Sequence, residues 1–347
     1  MTVRSRRAVY FTAPGAVDVR HEPIEAPRSN EVLVRTVRTA ISAGTELLIY
    51  RGRAPAEMPA DASLPALQGN LTFPLKYGYA AVGRVVEVGE AVDRSWLGRP
   101  VFAFQPHQTH FSSPVTDLVP LPDGLDLEEA VFIPNLETAV GLVHDGHPLA
   151  GERVVVFGQG IVGLLTTLLL ARMPLARLVT LDRHPRRRQA SIASGAHACL
   201  DPAGSAVEAN VRAALEAGDP RTGADLSFEL SGDPSTLNLA IAATGFDGRI
   251  VIGSWYGLKT APIDLGSRFH RSRLRLISSQ VSRIGPELTG RWTKARRLAY
   301  VLDLLPVLRP SALITHRVPF EQAPEAYRML DQDPAEALQV VLTYPES

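Results

Sequence analysis

The sequence predicts an α/β protein in which a parallel sheet, covered by helices on both faces, is joined to a smaller β-rich domain. The chain has 347 residues, which is long enough for two domains that each bury a core. From Arg153 to about Ser279, predicted strands alternate with predicted helices, as in parallel sheets. Before about residue 135, Gly and Pro separate short apolar strands instead, which is typical of a small barrel-like domain.

The β-rich region contains four predicted strands that are apolar throughout or alternate with polar residues: Ala8 to Phe11, Glu31 to Val37, Ala81 to Val88 and Pro100 to Phe104. Pro55 to Asn70 is rich in Ala, Pro and small polar residues, so we expect a loop there. The acidic run Asp126 to Glu129 precedes an apolar helical pattern. This pattern predicts a helix that links the two domains.

The second domain is organised around a strand, a glycine-rich turn and a helix. Val154 to Phe157 are the predicted strand, and the buried helix runs from Leu164 to Ala171. The turn between them is Gly158-Gln159-Gly160-Ile161-Val162-Gly163. We expect Gly158 to make the tight turn, Gly160 to let a pyrophosphate approach the backbone, and Gly163 to let the helix pack closely. The helix N-terminus would face the phosphates, so the pattern predicts a Rossmann domain whose turn residues contact a dinucleotide.

An acidic residue, Asp182, closes the next predicted strand at the distance expected of a ribose-binding carboxylate. Its side chain can accept hydrogen bonds from the adenosine ribose hydroxyls and would repel a 2′-phosphate, which favours NAD. Four arginines follow, and arginine pairs well with phosphate, so NADP stays open as the less favoured cofactor. They are Arg183, Arg186, Arg187 and Arg188.

The rest of the second domain continues the alternation. Further strands are predicted at Arg177 to Asp182, Ala198 to Leu200, Asp225 to Leu230, Arg249 to Gly253 and Arg273 to Ser278. Ser231, Gly253 and Ser254 stand at the ends of two of these strands, where ligands bind in open parallel sheets, so we expect them to line the cofactor cleft. A helix, a strand, a second helix and a final strand follow: Arg291 to Leu305, Ala312 to His316, Glu321 to Leu330 and Gln339 to Leu342.

Composition limits the partners. Lys plus Arg and Asp plus Glu number 36 each, so no net charge draws the chain to nucleic acid or to an anionic membrane, and a small-molecule substrate fits better. The single cysteine, Cys199, excludes a disulfide framework. The N-terminal residues lack the apolar run of a signal peptide, and no apolar stretch has the length of a membrane span. We therefore expect a cytoplasmic protein.

Several motifs, in order, resemble the medium-chain dehydrogenase/reductase superfamily, which includes zinc alcohol dehydrogenases, polyol dehydrogenases and quinone reductases. The motifs are Gly44-Thr45-Glu46, the run GYAAVGRVVEVG from Gly78 to Gly89, ETAVGL from Glu137 to Leu142, the glycine turn, and ITHRVPFEQAPEAYRML near the C-terminus. Within the superfamily, AGTELLIYRGRAP and GQGIVGLL are most similar to the branch of bacteriochlorophyllide hydroxyethyl dehydrogenases. The resemblance implies a GroES-like β-barrel catalytic domain at 1–135, a Rossmann domain at 136–289, and a return to the catalytic domain at 290–347. It also implies a homodimer paired through the edge of the nucleotide-domain sheet.

The resemblance breaks down at the metal sites. The family's first zinc-binding cysteine falls on Ala43, the zinc-binding histidine on Tyr79, and the later ligand near Pro134 or Asn135. The lobe that carries the family's structural zinc is replaced by the short run QPHQTHFSSP. Ala43 has no donor atom for a metal, so we expect no zinc.

Without zinc, another group must polarise the substrate oxygen or move its proton. The family's proton-relay hydroxyl maps onto Thr45, which could equally be a strand-end threonine bonded to backbone. Tyr79 could donate a hydrogen bond to a substrate oxygen or simply form an aromatic wall. Glu46 corresponds to the family's acid beside the metal and is either a base or part of a structural ion pair.

Two further positions complete the candidate site. His107, in the loop after the strand at Pro100, is a candidate general acid or base facing the substrate; a loop histidine without this role is the alternative. Thr138 aligns with the family threonine that touches the nicotinamide, or caps a helix. Arg187 aligns with the family's basic residue near the adenosine ribose, and Arg183 lies beside it.

We therefore expect a zinc-independent, NAD-linked oxidoreductase that interconverts a secondary alcohol and a ketone on a polar small molecule. Two alternatives remain. One is a reductase of activated carbon-carbon double bonds, since quinone-reductase-like relatives lack zinc. The other is a nucleotide-binding protein without turnover.

Overall fold

The computed structural model describes residues 4–61, 63–216 and 222–345. The chain divides into two compact units: unit 1 comprises Met1–Pro134 and Leu304–Ser347, and unit 2 comprises Asn135–Asp303. The sequence boundaries placed the return to the first domain at residue 290, earlier than in this division. The first three residues of the expected N-terminal segment lie outside the described part of the chain.

The N-terminal part of unit 1 consists mainly of strands. They are β1 (Ser5–Ala13), β2 (Ala16–Pro23), β3 (Glu31–Ile41), β4 (Ala81–Val88), β5 (Pro100–Ala103), β6 (His110–Pro114) and β7 (Val119–Pro120), with the helices α1 (Ala43–Tyr50) and α2 (Leu127–Ala130). The sequence predicted β1, β3, β4 and β5 but not β2, β6 or α1. Thr45 therefore lies in the first turn of a helix and not at the end of a strand. Asp126 caps α2 through the N–H of Glu128, as its acidic pattern indicated.

Unit 2 alternates strands and helices along the chain. They are α3 (Ile133–Gly146), β8 (Arg153–Phe157), α4 (Ile161–Leu170), β9 (Arg177–Leu181), α5 (Pro185–Ala193), β10 (Ala198–Leu200), α6 (Val207–Ala214), β11 (Ala224–Glu229), α7 (Thr236–Ala243), β12 (Thr244–Ile252) and β13 (Arg275–Ser278). The strands form a parallel sheet in the order β10-β9-β8-β11-β12-β13. Successive residues of β8 belong to different apolar clusters, with Val155 and Phe157 in one and Val154 and Val156 in the other. Because side chains alternate along a strand, these clusters cover opposite faces of the sheet.

The chain then returns to unit 1 through α8 (Lys294–Leu308), β14 (Ile314–Pro319), α9 (Ala323–Gln332) and β15 (Gln339–Thr343). The unit 1 sheet has the order β14-β15-β3-β4-β5-β7, and β6 also pairs with β3. Along its length β3 pairs with β4; β6 pairs with its first half and β15 with its last residues. Both units confirm the predicted fold class, a Rossmann sheet and a GroES-like β-domain. No helix within the described residues is both long and apolar enough to cross a membrane.

Candidate active site

The glycine turn of unit 2 lies between β8 and α4, and two of its glycines are required for backbone reasons. Gly158 has a φ of +90°, in the left-handed region that favours glycine. A Cβ on Gly158 would lie 2.6 Å from the backbone nitrogen of Ser231. A Cβ on Gly163 would lie 2.0 Å from the carbonyl oxygen of Gly158, so glycine is what lets α4 approach the turn.

Gly160 differs, because it faces open space. A Cβ there would meet no atom within 4 Å, and Gly160 is the N-cap of α4 without any side chain capping the helix. The first N–H groups of a helix need acceptors, and they favour an anion. Ile161 is buried and Val162 half-buried at the start of this helix. The residues present therefore fit a dinucleotide pyrophosphate.

Gln159 supports the turn from inside. Its side chain is fully buried, donates to the carbonyl oxygen of Gly158 at 3.0 Å and accepts from the hydroxyl of Thr167 at 3.0 Å. Its backbone N–H donates to Oδ2 of Asp182 at 2.8 Å. The structure thus places this side chain away from the surface where the sequence expected a cofactor contact.

Asp182 follows β9 beside the turn. Its Oδ1 accepts from the N–H of His184 at 2.8 Å, and Nη1 of Arg187 lies 3.9 Å from its Oδ2. A carboxylate has about four acceptor sites, so two backbone bonds leave room for ribose hydroxyls. Arg183 is exposed in the next position.

The strand ends of β11 and β12 hold the predicted residues Ser231, Gly253 and Ser254, together with a fully buried acid, Glu229, that the sequence did not single out. Oε1 of Glu229 accepts from the N–H of Ser231 at 2.8 Å and also from its hydroxyl. Ser254 accepts from the N–H of Gly232 at 2.9 Å. The sequence gives one sign of this residue, an acidic side chain within the mostly apolar predicted strand LSFEL.

The predicted nicotinamide contact, Thr138, is half-buried in α3. Its neighbour Glu137 is paired with Arg297, whose Nη2 lies 2.9 Å from Oε1 of Glu137. Arg297 is 1% exposed and also donates to the carbonyl oxygen of Val281. This buried pair fixes α3 against α8, and the bond to Val281 ties Arg297 to the segment after β13. Sequence reasoning missed the pair because its partners lie far apart in the chain.

In unit 1 the hydroxyl of Tyr79 is grouped with two other hydroxyls. It donates to Oγ of Ser42 at 2.5 Å and lies 3.3 Å from Oγ1 of Thr45. Ser42 is the N-cap residue of α1, and Thr45 lies in its first turn. Burial raises the pKa of Tyr79 to about 12, so its hydroxyl is protonated at neutral pH. The structure thus brings together Tyr79 and Thr45, two of the predicted catalytic residues.

The other two predicted catalytic residues, Glu46 and His107, meet in the interior of the same unit. Both side chains are 0% exposed, and Nε2 of His107 lies 3.0 Å from Oε2 of Glu46. Glu46 also accepts from the N–H of Ser42 at 2.7 Å and from the hydroxyl of Tyr327 in α9. Three groups on three segments therefore satisfy one carboxylate at the N-terminus of α1, where the helix dipole favours negative charge.

The second ring nitrogen of His107 is engaged as well. Nδ1 lies 2.7 Å from Oγ1 of Thr39, which lies 3.1 Å from the hydroxyl of Tyr344. A Cβ on Gly78 would lie 2.7 Å from the His107 ring, so glycine at this position makes room for it. The sequence expected His107 to face the substrate; the structure instead encloses it between Thr39 and Glu46. The nearby His110 lies in β6 and bonds to Thr109.

Comparison with known proteins identifies the family. The family model described as zinc-binding dehydrogenase matches residues 162–299. The (R,R)-butanediol dehydrogenase of Bacillus subtilis (strain 168) is 30% identical over 280 residues, which cover 72% of this chain and 78% of that protein. The chain belongs to the medium-chain, zinc-type alcohol dehydrogenase family. It is therefore an oxidoreductase of the alcohol dehydrogenase type.

Two further comparisons extend over nearly the whole of this dehydrogenase. The D-guloside 3-dehydrogenase of Escherichia coli (strain K12) is 25% identical over 353 residues, with 96% of this chain and 98% of that protein covered. The solved structure of a short chain alcohol dehydrogenase (rspB) from E. coli CFT073, complexed with NADH, has a TM-score of 0.78 at 20% identity. It covers 98% of this dehydrogenase and 99% of that chain, and at this identity the likeness shows the fold.

The family is named for zinc binding, but the side chains of this dehydrogenase at the expected zinc-ligand positions do not supply the donor atoms that zinc requires. Ala43 offers no donor, and the hydroxyl of Tyr79 is hydrogen-bonded to Ser42. Both nitrogens of His107 are engaged, one of them with Glu46. Among the described residues no three His, Cys, Asp or Glu side chains are grouped so that they could hold a metal ion. Catalytic zinc sites use three such protein ligands, so we derive no step through zinc.

Proposed function

We propose that this dehydrogenase is a zinc-independent, NAD-linked oxidoreductase that interconverts a secondary alcohol and a ketone on a polar small molecule. The observation that carries the proposal is the hydroxyl cluster of Tyr79, Ser42 and Thr45, because Tyr79 aligns with a zinc ligand of the family and its hydroxyl is grouped here with Ser42 and with Thr45, the expected proton-relay residue. The relatives named above are dehydrogenases of a guloside and of a butanediol, which are hydroxylated small molecules.

A nicotinamide cofactor, when bound, supplies or accepts the hydride, and the protein must manage the proton. Each of the three hydroxyls can donate and accept a hydrogen bond, and each can rotate to change partner. A tyrosine phenol is protonated at neutral pH, so Tyr79 serves as a hydrogen-bond donor to the substrate oxygen and stabilises negative charge developing there. Ser42 and Thr45 orient the phenol. In ketone reduction the phenol gives its proton to the substrate oxygen and regains one from solvent through the half-buried Thr45, and alcohol oxidation runs these transfers in reverse.

Glu46 and His107 have a different part in this proposal. Both are fully enclosed, so they position the cluster and do not touch the substrate. Glu46 holds the N–H of Ser42, and the hydroxyl of Ser42 accepts from Tyr79. His107 holds Glu46 in turn. The acid and the imidazole thus act on the reaction through Ser42.

The cofactor of this proposal is NAD. Gly160 and the open N-terminus of α4 fit the pyrophosphate, and Asp182 offers acceptors to the ribose. The negative charge of Asp182 disfavours the 2′-phosphate of NADP. The NADH complex of the structural neighbour supports a nicotinamide cofactor.

The test combines metal content, turnover and a matched pair of variants. Protein purified without chelators is assayed for zinc and then for NADH formation or consumption with secondary alcohols, polyols, ketones and enones. We expect substoichiometric zinc and turnover of alcohol and ketone. Tyr79→Phe should lower kcat by about 10²-fold or more, the usual contribution of a general acid. Tyr77→Phe makes the same chemical change two residues earlier and should keep near-normal kcat.

Each contrary result points to a different alternative. One tightly bound zinc per chain would overturn zinc independence. Hydride transfer to an alkene and not to a carbonyl would make the protein a double-bond reductase, and NADH binding without any turnover would make it a binding protein. Full activity of Tyr79→Phe would remove the phenol from the mechanism.

We further propose a cytoplasmic homodimer. β13 is the outermost strand of the unit 2 sheet, and Leu276 on it and Phe246 in β12 are 36% and 61% exposed. An open strand edge beside exposed apolar side chains is suited to pairing with a second copy. Sedimentation of the purified protein as a dimer, and loss of the dimer in Leu276→Lys, is the expected result; a monomer would refute it.

A further inference from the structure

The carboxylate of Glu229 connects two loops at the strand ends of unit 2. Glu229 is the last residue of β11 and is 0% exposed. Its Oε1 accepts from the N–H of Ser231 at 2.8 Å and from the hydroxyl of the same residue. Its Oε2 accepts from the hydroxyl of Tyr256, in the loop after β12, at 2.5 Å. One buried side chain therefore bonds to both outgoing loops.

The same region reaches the glycine turn through backbone contact. The backbone of Ser231 abuts Gly158 so closely that a Cβ on Gly158 would lie 2.6 Å from its N and Cα atoms. A second tie runs parallel to the first, since Ser254 accepts from the N–H of Gly232 at 2.9 Å. A shift of Ser231 would therefore be passed directly to the turn.

The strand order of the sheet shows why the contact between Ser231 and Gly158 matters for ligand binding. β8 leads outward through β9 to β10, whereas β11 leads outward in the other direction through β12 to β13. The crevice between β8 and β11 is thus the switch point at which ligands bind in such sheets. Gly158 follows β8 and Ser231 follows β11, so these two residues line opposite sides of that crevice.

We propose that Glu229 is a positioning residue of the dinucleotide site, which holds Ser231 and Tyr256 so that the crevice has the width its ligand requires. The inference rests on the proposed function, because it takes the crevice to bind a nicotinamide dinucleotide. Glu229 itself does not touch that ligand. It acts through Ser231, whose backbone sets the position of the glycine turn.

Loss of the charge of Glu229 and loss of its hydrogen bonds should change the affinity for the dinucleotide in opposite directions. A carboxylate near a pyrophosphate repels it, so removal of the charge alone would tighten binding. Loss of the carboxylate also removes acceptors, because the amide of a glutamine has a single oxygen where the carboxylate has two. If position dominates, Glu229→Gln must weaken binding in spite of the lost repulsion.

The experiment measures the affinities of NADH and of AMP for the purified full-length protein. Glu229→Gln and Tyr256→Phe are compared with Tyr300→Phe, a control in which the tyrosine is 43% exposed on α8. Because each of the first two variants removes a hydrogen bond to the carboxylate, we expect each to bind NADH about tenfold more weakly. AMP lacks the second phosphate and the nicotinamide and depends on the Asp182 side of the site, so its affinity should change less than about twofold. The double variant should be no weaker than Glu229→Gln, because the two changes remove one shared bond.

The outcomes separate this inference from the proposed function. If the wild-type protein binds neither NADH nor NADPH, the proposed function fails. If it binds NADH and the two variants bind it as tightly or more tightly, Glu229 does not position the site. Equal weakening of NADH and AMP would also overturn the inference, since it indicates a general loss of structure. Tyr256→Phe keeps the ring and the buried charge, so it decides the question even if Glu229→Gln does not fold.

Discussion

Two glycines of the same turn should respond in opposite ways to the same added methyl group. In Gly163→Ala the new Cβ would lie 2.0 Å from the carbonyl oxygen of Gly158, whereas real Cβ contacts are essentially never under 3.0 Å. The obstacle is backbone, so α4 must retreat by about 1 Å from the turn. In Gly160→Ala the new Cβ meets no atom within 4 Å, and the φ of −65° suits alanine.

The magnitudes follow from what each methyl group displaces. Retreat of α4 moves Leu164 and Leu165, which are fully buried against the sheet, and overpacking of a core costs about 1–3 kcal/mol. For a unit of this size that corresponds to a drop in Tm of roughly 2–12 °C. Gly160→Ala replaces a tolerated N-cap residue with a poor one, at a cost of about 1 kcal/mol or less. Its methyl group, however, fills the space in which the pyrophosphate is expected.

The assays are thermal unfolding of the ligand-free protein and titration with NADH. Gly163→Ala should lose both stability and NADH affinity, whereas Gly160→Ala should keep most of its Tm and lose NADH affinity by about tenfold or more. The reasoning is refuted if Gly160→Ala unfolds as easily as Gly163→Ala. It is refuted equally if Gly160→Ala binds NADH as tightly as the wild type does.

Three further predictions concern charge. Asp182→Ala should shift the ratio of NADH to NADPH affinity toward NADPH by about tenfold, as titration with both would show, because the carboxylate that repels a 2′-phosphate is gone; an unchanged ratio removes Asp182 from cofactor choice. Burial, followed by the charge of Arg297, lowers the pKa of His144 to about 4, so on unfolding His144 takes up a proton between about pH 4 and its ordinary value of about 6.5. Its contribution to stability is therefore full above that window and is lost as the pH falls through it, so His144→Phe should flatten the fall in urea midpoint between pH 7 and pH 4.5; equal falls would contradict this. Arg297→Met leaves Glu137 buried without its cation and should cost about 3–5 kcal/mol in urea unfolding, while the double variant with Glu137→Gln should recover part of the loss; no recovery would show that the pair is not the cause.

Local patterns predicted those parts of the fold that local physics determines. The strands β4 and β10 lie where the sequence placed them, because short runs bounded by turn residues favour strands. The glycine turn was equally predictable, since the positive φ of Gly158 and the contact of Gly163 with the carbonyl oxygen of Gly158 are local to the motif. The approach of Ser231 to Gly158 is not local and was not predicted. By contrast α1 was missed, because its eight residues AGTELLIY are too few and too uniformly apolar to show a helical period.

The candidate site was less predictable, because burial and pairing over long separations are not written in any short segment. His107 is enclosed by Thr39, Glu46 and the space left by Gly78, which come from three other parts of the chain. Glu229 depends on Tyr256 in the same way. A histidine in a polar loop and an acid in a strand give no sign of such partners, so sequence reasoning expected the first to face the substrate and passed over the second.

The environment of Glu46 shows how the fold satisfies a buried acid next to the hydroxyl cluster of the proposed site. A buried carboxylate is costly unless donors surround it, and a cation is only one way to supply them. Here the N–H of Ser42, the ring of His107 and the hydroxyl of Tyr327 supply them instead. Tyr327 belongs to α9, so the C-terminal return contributes directly to the interior beneath α1. Because the acid is satisfied by groups that are part of the fold, the N-terminal turn of α1 is held in place, and with it Ser42 and Thr45, whose hydroxyls lie next to the phenol of Tyr79. In the proposed mechanism this phenol, held in a fixed position, donates to the substrate oxygen in place of a Lewis acid.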